Sequence, residues 1–234
     1  MTVFIGYDIE STGLRLGKAE VIQIGATRLD DVTLRPTAVK FERKLLVEHP
    51  ENVEPNTLGV FNHYDPEVWA REGVPQHQGW RDFADWVFTV GGGGVVKPQL
   101  VGHNIGKFDW PMSEHWWTLH HCVPHLDYHL IDTSPLFIQF KRLAGITSRG
   151  MGLKDACTLF GVTNPKAHDA LADALTDSMC FCLMQWYLDA LIDVGRGFTH
   201  QEYLDEAYRR AGMPRNSSVL ISRERTSNEP PAPA

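Results

Sequence analysis

Residues 3–10 read VFIGYDIE, and a turn-forming Ser-Thr-Gly sequence follows at once. β-Branched and aromatic residues alternate along this stretch, which predicts a strand with one apolar face. That face would consist of Val3, Ile5, Tyr7 and Ile9. Asp8 and Glu10 would share the other face, roughly 6.5–7 Å apart along the strand, where both can reach one hard cation or a pair of cations. Alone the pair is a weak signal, because an Asp-x-Glu sequence also begins ordinary polar turns.

Another carboxylate follows a short apolar strand in residues 99–109, which read QLVGHNIGKFD. The strand would end in a polar turn and a helix would begin near Trp110, which places Asp109 at the helix N-terminus. An acidic residue there can simply complement the helix dipole, which is worth about 0.3–1 kcal/mol. His103 and Asn104 in the same turn favour a functional site over this simpler interpretation.

A third acidic segment, residues 164–174, reads NPKAHDALADA and enters a long helix. At about 100° per residue, Asp173 leads a largely apolar stripe of this helix. The stripe continues through Thr176, Cys180, Met184 and Tyr187. A carboxylate in that position is costly unless a cation or a donor compensates it. Asp169 and Asp177 lie about 40° away, where they can be solvated, so Asp173 is the better ligand candidate.

His168 precedes Asp173 by five positions, which is about 140° around an ideal helix. The two side chains therefore converge only if His168 lies on a loop before the first helical turn. Pro165 favours such a loop.

In order and spacing, these segments resemble the three motifs of the DEDDh branch of the DnaQ-like 3′-5′ exonuclease family. Asp8 and Glu10 match the first motif, Asp109 the second, and His168 with Asp173 the third. The similarity covers roughly residues 1–190: residues 21–26 (VIQIGA) look like the family's second strand, and residues 130–133 (LIDT) like a later strand. Gln23 departs from the pattern, since many relatives have a glutamate there.

The resemblance implies a ribonuclease-H-like α/β fold. Its mixed five-stranded sheet would open with antiparallel strands, continue with parallel ones and be flanked by helices. It also implies two Mg²⁺ or Mn²⁺ ions, with Asp8 contacting both. Glu10 and Asp173 would hold the ion that carries the attacking water, and Asp109 would support the other. His168 would accept the water's proton.

The implied substrate is the 3′ end of single-stranded DNA or RNA, with DNA slightly favoured, and the implied products are nucleoside monophosphates. Five residues beside the motifs are candidate substrate contacts. They are Thr12, Gly13, His103, Asn104 and Phe108. A homodimer or a replication or repair partner stays open.

Residues 1–195 would form the exonuclease domain, residues 196–215 an appended helix, and residues 216–234 a disordered tail. Alternation around residues 39–47 predicts a further strand. Helices are predicted at Trp80–Thr89, Trp110–His121, Pro135–Leu143 with Ser134 as a cap, Gly152–Phe160, His168–Val194 and Thr199–Ala211.

Composition indicates a globular protein: 234 residues, 43% of them hydrophobic, suffice for one sizeable core. No apolar run reaches the roughly 20 residues of a membrane span, and the N-terminus enters the first strand without a secretion signal, so a cytoplasmic location is expected. The four cysteines lack a Cys-x-x-Cys pair and are expected to be reduced core residues.

The net charge of −7 argues against a broad duplex-binding surface and fits a narrow site for a strand end. Two basic clusters could guide a nucleic-acid backbone, although the sequence slightly favours an ordinary solubilising role for each. One comprises Lys141, Arg142, Arg149 and Lys154, and the other Arg209, Arg210, Arg215, Arg223 and Arg225.

Two other functions compete with the exonuclease interpretation. Asp8-x-Glu10, Lys154 and the pair Asp169 and Asp173 loosely resemble haloacid-dehalogenase-like phosphatases. That class needs a second aspartate where this chain has Glu10, and it gives no role to Asp109 or His168. The other alternative is a non-catalytic nucleic-acid-binding module on the same fold.

Overall fold

The computed structural model describes residues 2–55, 57, 63–194 and 198–214. One five-stranded sheet has the order β3-β2-β1-β4-β5. The strands are β1 (Phe4–Ser11), β2 (Val21–Leu29), β3 (Pro36–Lys44), β4 (Gln99–Gly102) and β5 (Ile131–Asp132). β1, β2 and β3 pair antiparallel, whereas β4 pairs parallel with both β1 and β5. The predicted mixed sheet, with its antiparallel opening, is confirmed.

Helices flank the sheet. They are α1 (Pro66–Glu72), α2 (Gln76–Val90), α3 (Asp109–Leu119), α4 (Thr133–Leu143), α5 (Leu153–Phe160), α6 (Ala170–Val194) and α7 (His200–Arg210). The prediction of Ser134 as the cap of α4 is wrong, because the Asp132 carboxylate caps the helix and accepts the Ser134 N–H at 3.1 Å. Helix α1 was not predicted, although Asp65, which caps this helix, and the proline that follows it form a helix-start signal.

One face of the sheet packs on α2 and α3 through aromatic side chains. Ile5, Tyr7 and Ile9 of β1 are buried there, as their alternation predicts. The helices contribute Trp80, Phe83, Val87, Met112, Trp116 and Trp117 to the same cluster. This aromatic face forms one of two hydrophobic cores within the described residues.

On the opposite face, α6 lies directly against β1 and β2. A Cβ atom on Gly6 would lie 1.9 Å from Ser178 Oγ, and one on Gly25 would lie 2.2 Å from the Ala170 carbonyl carbon. Only glycine allows so close an approach of the helix to the sheet. Because Asp8 is paired with Gly25 across the two strands, the start of α6 is brought next to the acidic residues of β1.

The second core lies between this face and α4, α5, α6 and α7. Tyr203, Leu204 and Ala207 of α7 belong to it, and the Tyr208 hydroxyl donates to the Phe160 carbonyl at 2.8 Å. The C-terminal helix is therefore packed into the same core as α6. The predicted boundary at residue 195 and the predicted tail at 216–234 lie outside the described residues.

All four cysteines are buried and free, as expected: Cys122, Cys157, Cys180 and Cys182. Within the described ranges, no helix has the length and apolar character that crossing a membrane requires.

Candidate metal-binding active site

The acidic residues of the three sequence motifs gather at one end of β1. Asp8 and Glu10 lie on the side of β1 that faces α6, opposite its apolar residues. Asp109 is the first residue of α3 and is only 4% exposed. Its carboxylate accepts the Ile9 N–H at 3.1 Å, which fixes it between Asp8 and Glu10 along the strand.

Asp173 and His168 come from the start of α6. His168 lies in an exposed turn before the helix, with a φ of 66°, and its N–H donates to Asp173 Oδ2 at 3.0 Å. The prediction that His168 lies on a loop is confirmed. Ligand atoms of Glu10, His168 and Asp173 all lie within 4.8 Å of one another, close enough to hold one metal ion.

The turn that carries His168 is held from its other side by His63. The His63 Nε2 atom lies 2.8 Å from the Ala167 carbonyl oxygen, so this nitrogen donates a hydrogen bond to the residue before His168. No sequence motif indicates this contact, because the two residues are 104 positions apart.

The carboxylates repel one another strongly. Burial, followed by the charges of Asp109 and Glu10, raises the pKa of Asp8 well above its usual range. Burial and the Asp173 charge raise the pKa of Glu10 to about 8. Burial likewise raises the pKa of Asp109 and of Asp173. These four side chains are stable in their ionised form only when cations lie beside them.

The solvation proposed for Asp169 is wrong, because this residue is only 6% exposed. Its carboxylate accepts hydrogen bonds from Lys166, from Gln23 at 3.2 Å and from the Ala172 N–H at 3.1 Å. Burial acts to raise the pKa of Asp169, but these donors together lower it. Gln23, the departure from the family pattern, thus anchors the residue that follows His168.

Asp177 is also buried, at 4% exposure, so the solvation proposed for it is wrong as well. Thr133 Oγ1 donates to its Oδ1 at 2.7 Å. Burial and the charges of Asp132 and Asp173 raise the pKa of Asp177 to about 7. This carboxylate was missed as a site candidate, although its position four residues after Asp173 places both on one side of α6.

Two predicted substrate contacts follow β1. Thr12 is buried, its N–H donates to the Glu20 carbonyl at 2.9 Å, and its Oγ1 accepts the Glu20 N–H at 2.8 Å. Gly13 packs so tightly on Glu54 that a Cβ would lie 2.5 Å from the carboxyl carbon. Thr12 therefore holds the turn together and has no amide hydrogen left for a nucleotide, while a contact through Gly13 stays a prediction.

The other predicted contacts lie between β4 and α3. Asn104 has a φ of 59°, and its N–H donates to Asp132 Oδ1 at 3.0 Å. The His103 Nδ1 atom lies 3.3 Å from Thr133 Oγ1, and burial lowers the pKa of this histidine. Phe108 is half-buried just before Asp109. His103 thus points toward Asp177, and substrate contacts by these three residues stay predictions.

Some residues of the two basic clusters make contacts within the protein. Lys141 is 6% exposed and donates to the carbonyls of Ser148 and Gly150. Arg209 and Arg210 both pair with Glu206. Three basic residues of the first cluster are exposed: Arg142, Arg149 and Lys154. The other three residues of the second cluster, Arg215, Arg223 and Arg225, lie outside the described residues.

The arrangement of strands and helices occurs in solved nuclease structures. The E. coli exonuclease I complex with a dT13 oligonucleotide superposes with a TM-score of 0.67 at 15% identity, covering 83% of this chain and 43% of that one. The chain has the exonuclease I fold. The cell-death related nuclease CRN-4 shares this fold with a TM-score of 0.63 at 16% identity, covering 83% of this chain and 65% of its own.

Exonuclease I from Methylocaldum szegediense also has the fold, with a TM-score of 0.60 at 16% identity over 87% of this chain and 50% of that one. No protein-family model and no curated protein matches the sequence. The predicted resemblance is therefore confirmed at the level of the fold. The chain spans less than two thirds of the length of each of these structures, so their activities do not transfer to it directly.

Proposed function

We propose that this protein is a divalent-metal-dependent exonuclease that removes nucleoside monophosphates from the 3′ end of single-stranded nucleic acid. One observation carries the proposal: on the exonuclease I fold, a histidine turn and the carboxylates of β1, α3 and α6 converge on one end of the sheet. Such a group is costly as a structural core and well suited to hard cations, which prefer oxygen ligands.

The carboxylates of Asp8, Glu10, Asp109 and Asp173 would hold two Mg²⁺ or Mn²⁺ ions. When bound, such ions lower the pKa of a coordinated water and stabilise the leaving oxygen. His168 would accept the proton of the attacking water at an imidazole nitrogen, since histidine exchanges protons near neutral pH. Its exposed turn lets the ring approach a bound phosphodiester, and its N–H bond to Asp173 keeps the turn at the site.

Single-stranded DNA is the preferred substrate in this proposal. Exonuclease I has been crystallised with dT13 and with other DNA oligonucleotides, which supports a single-strand channel on this fold. RNA is the second candidate, because discrimination rests on contacts to the 2′-hydroxyl. A cytoplasmic location and a homodimer or repair partner remain predictions.

The test is degradation of end-labelled, sequence-matched DNA and RNA oligonucleotides with Mg²⁺ or Mn²⁺. The wild-type protein should shorten the DNA from its 3′ end, and Asp8→Asn should abolish the reaction. His168→Ala should slow it on the order of 10²- to 10⁴-fold, the usual contribution of a positioned proton acceptor. Asp189→Asn is the matched control, because it removes an exposed carboxylate from the far part of α6.

Equal rates in all four proteins would refute the proposal. Oligonucleotide binding without hydrolysis would instead favour the non-catalytic module. A phosphoenzyme formed at Asp8 would favour the phosphatase alternative, which assigns no role to Asp109 or His168, although the structure brings both to the site.

A further inference from the structure

The Asp173 carboxylate is held by the loop that leads into α6. His168 donates its N–H to Oδ2 at 3.0 Å, and the side-chain amide of Asn164 donates to Oδ1 at 2.5 Å. Each oxygen of this carboxylate therefore has a donor on the loop, five and nine residues before Asp173. His168 belongs to the third sequence motif, whereas Asn164 is not one of the motif residues.

The orientation of the Asn164 amide is fixed at both ends. Its Oδ1 accepts the Lys166 N–H at 3.3 Å, while its Nδ2 donates to Asp173. Turning the amide over would place an oxygen against the Asp173 carboxylate and an NH₂ group against the Lys166 N–H, and both hydrogen bonds would be lost. Asn164 thus connects the start of the loop directly to a carboxylate of the acidic site.

This hydrogen bond leaves Asp173 able to bind a metal ion. Each carboxylate oxygen has two lone pairs, so Oδ1 can accept the Asn164 amide and still coordinate a cation. With the hydrogen bond in place, ligand atoms of Glu10, His168 and Asp173 lie within 4.8 Å of one another. The Asn164 amide therefore holds Asp173 in a position where these three side chains converge.

An asparagine suits this position because its amide is both a donor and uncharged. A lysine would neutralise Asp173 and repel a cation, and an aspartate would have no hydrogen to donate. Asn164 is half-buried, and Pro165 restricts the backbone of the residue that precedes it. This restriction lowers the entropic cost of keeping the amide in place.

We propose that Asn164 is a positioning residue of the metal site, whose amide orients the Asp173 carboxylate toward the divalent ion that it shares with Glu10. The inference rests on the proposed function, because it presupposes that the site binds metal. The competing explanation is that Asn164 only shapes the loop through its hydrogen bond to the Lys166 N–H.

The experiment is calorimetric titration of Mn²⁺ into the metal-free full-length protein, with nuclease activity left aside. Asn164→Ser keeps an oxygen that can accept the Lys166 N–H, but its side chain is too short to reach Asp173. The dissociation constant for Mn²⁺ should rise on the order of 10-fold, as for other residues that orient metal ligands. Thr163→Ala, which truncates the exposed residue before Asn164, is the matched control and should leave the constant unchanged.

A second variant and a second measurement separate the two explanations. Asn164→Ala loses both hydrogen bonds, so it should have the same Mn²⁺ dissociation constant as Asn164→Ser if the contact with Asp173 is the one that matters. Without metal, the unfolding temperature of Asn164→Ser should fall by roughly 2–4 °C at most, the effect of one lost hydrogen bond. The stabilisation by Mn²⁺ should be clearly smaller than in the wild type.

An unchanged dissociation constant in Asn164→Ser would overturn the inference and leave the proposed function intact, since Asn164 would then act only on the loop. Loss of the folded state in both variants would also overturn it, because Asn164 would then be structural. A wild-type protein that binds no Mn²⁺ would overturn the proposed function together with it.

Discussion

The two faces of the sheet share β1 but differ in the charge of the side chains that they bury. On the aromatic face, the buried polar groups are uncharged: Trp116 Nε1 donates to the Ala19 carbonyl at 2.9 Å, the Tyr7 hydroxyl lies 2.7 Å from Ser113 Oγ, and Trp80 Nε1 makes no hydrogen bond to the described residues. On the α6 face, carboxylates crowd together, and Asp177 keeps an unpaired oxygen. The aromatic face stabilises the fold, whereas the acidic end of the α6 face stores electrostatic repulsion that a bound cation would relieve.

Alternation along a single strand makes this division possible. Successive residues of β1 point to opposite faces, so Tyr7 and Ile9 lie in the aromatic core while Asp8 and Glu10 lie in the acidic site. The rigid core thereby fixes the positions of ligands that would otherwise move apart. Substitutions on the two faces should consequently have opposite effects on stability and activity.

The largest expected effect is that of Asp8→Asn. Hydrolysis should fall by several orders of magnitude, because metal ligands act as a unit. The metal-free variant should nonetheless be at least as stable as the wild type, since Asp8 repels Glu10, Asp109 and Asp173. Single-turnover rates and thermal unfolding without metal measure the two effects. A marked loss of stability in this variant would contradict the division between the faces.

Phe83→Ala should show the reverse pattern. Phe83 is fully buried on the aromatic face and packs 5.3 Å from the Tyr7 ring. Its truncation should lower the free energy of unfolding by about 3–5 kcal/mol, with little change in the rate per folded molecule. Denaturant unfolding and active-site titration test this. Phe88→Ala, in the same helix but 51% exposed, is the control and should be nearly neutral.

Sequence alone predicted the elements that depend on local periodicity. Alternation assigned both faces of β1, and the angle between His168 and Asp173 placed the histidine on a loop. The burial of Asp177 could not be predicted in this way, because a helical wheel gives an angle but not which neighbours cover it. That cover comes from residues more than forty positions away, such as Thr133, which lies 44 residues before Asp177.

The turn after β1 shows the same limit. The Ser-Thr-Gly sequence indicated a turn, and its amides were natural candidates for a nucleotide contact. Glu20 uses both the N–H and the hydroxyl of Thr12 instead. Which backbone donors of the turn stay available depends on where the chain returns to it at Glu20, and the local sequence does not specify this.

Stability of the metal-free protein should depend on pH through the acidic face. In the folded state the pKa of Glu10 is about 8 and that of Asp177 about 7, whereas unfolded carboxyls titrate near pH 4. The folded state therefore binds more protons between these values, and the free energy of unfolding falls as pH rises from about 4 to about 8.

Unfolding temperatures of the metal-free protein between these pH values test this dependence. Saturating Mg²⁺ should flatten it, because the cation replaces the protons. Glu10→Gln should reduce the slope in the metal-free protein. A stability that rises over this pH range without metal would show that the carboxyls are not held apart from solvent as the structure indicates.

The smallest expected effect concerns His63, which holds the turn that carries His168 through a hydrogen bond to Ala167. Its Nε2 hydrogen bond to the Ala167 carbonyl is exposed, and such a bond contributes about 0.5–1.5 kcal/mol, so His63→Ala should lower kcat by roughly tenfold at most. Stability should hardly change. His63→Gln, whose amide can donate to the same carbonyl, should restore much of kcat, whereas His129→Ala, on a distant exposed loop, should have no effect. An effect on KM alone, or no rescue by glutamine, would mean that His63 contacts the nucleic acid instead of positioning the turn.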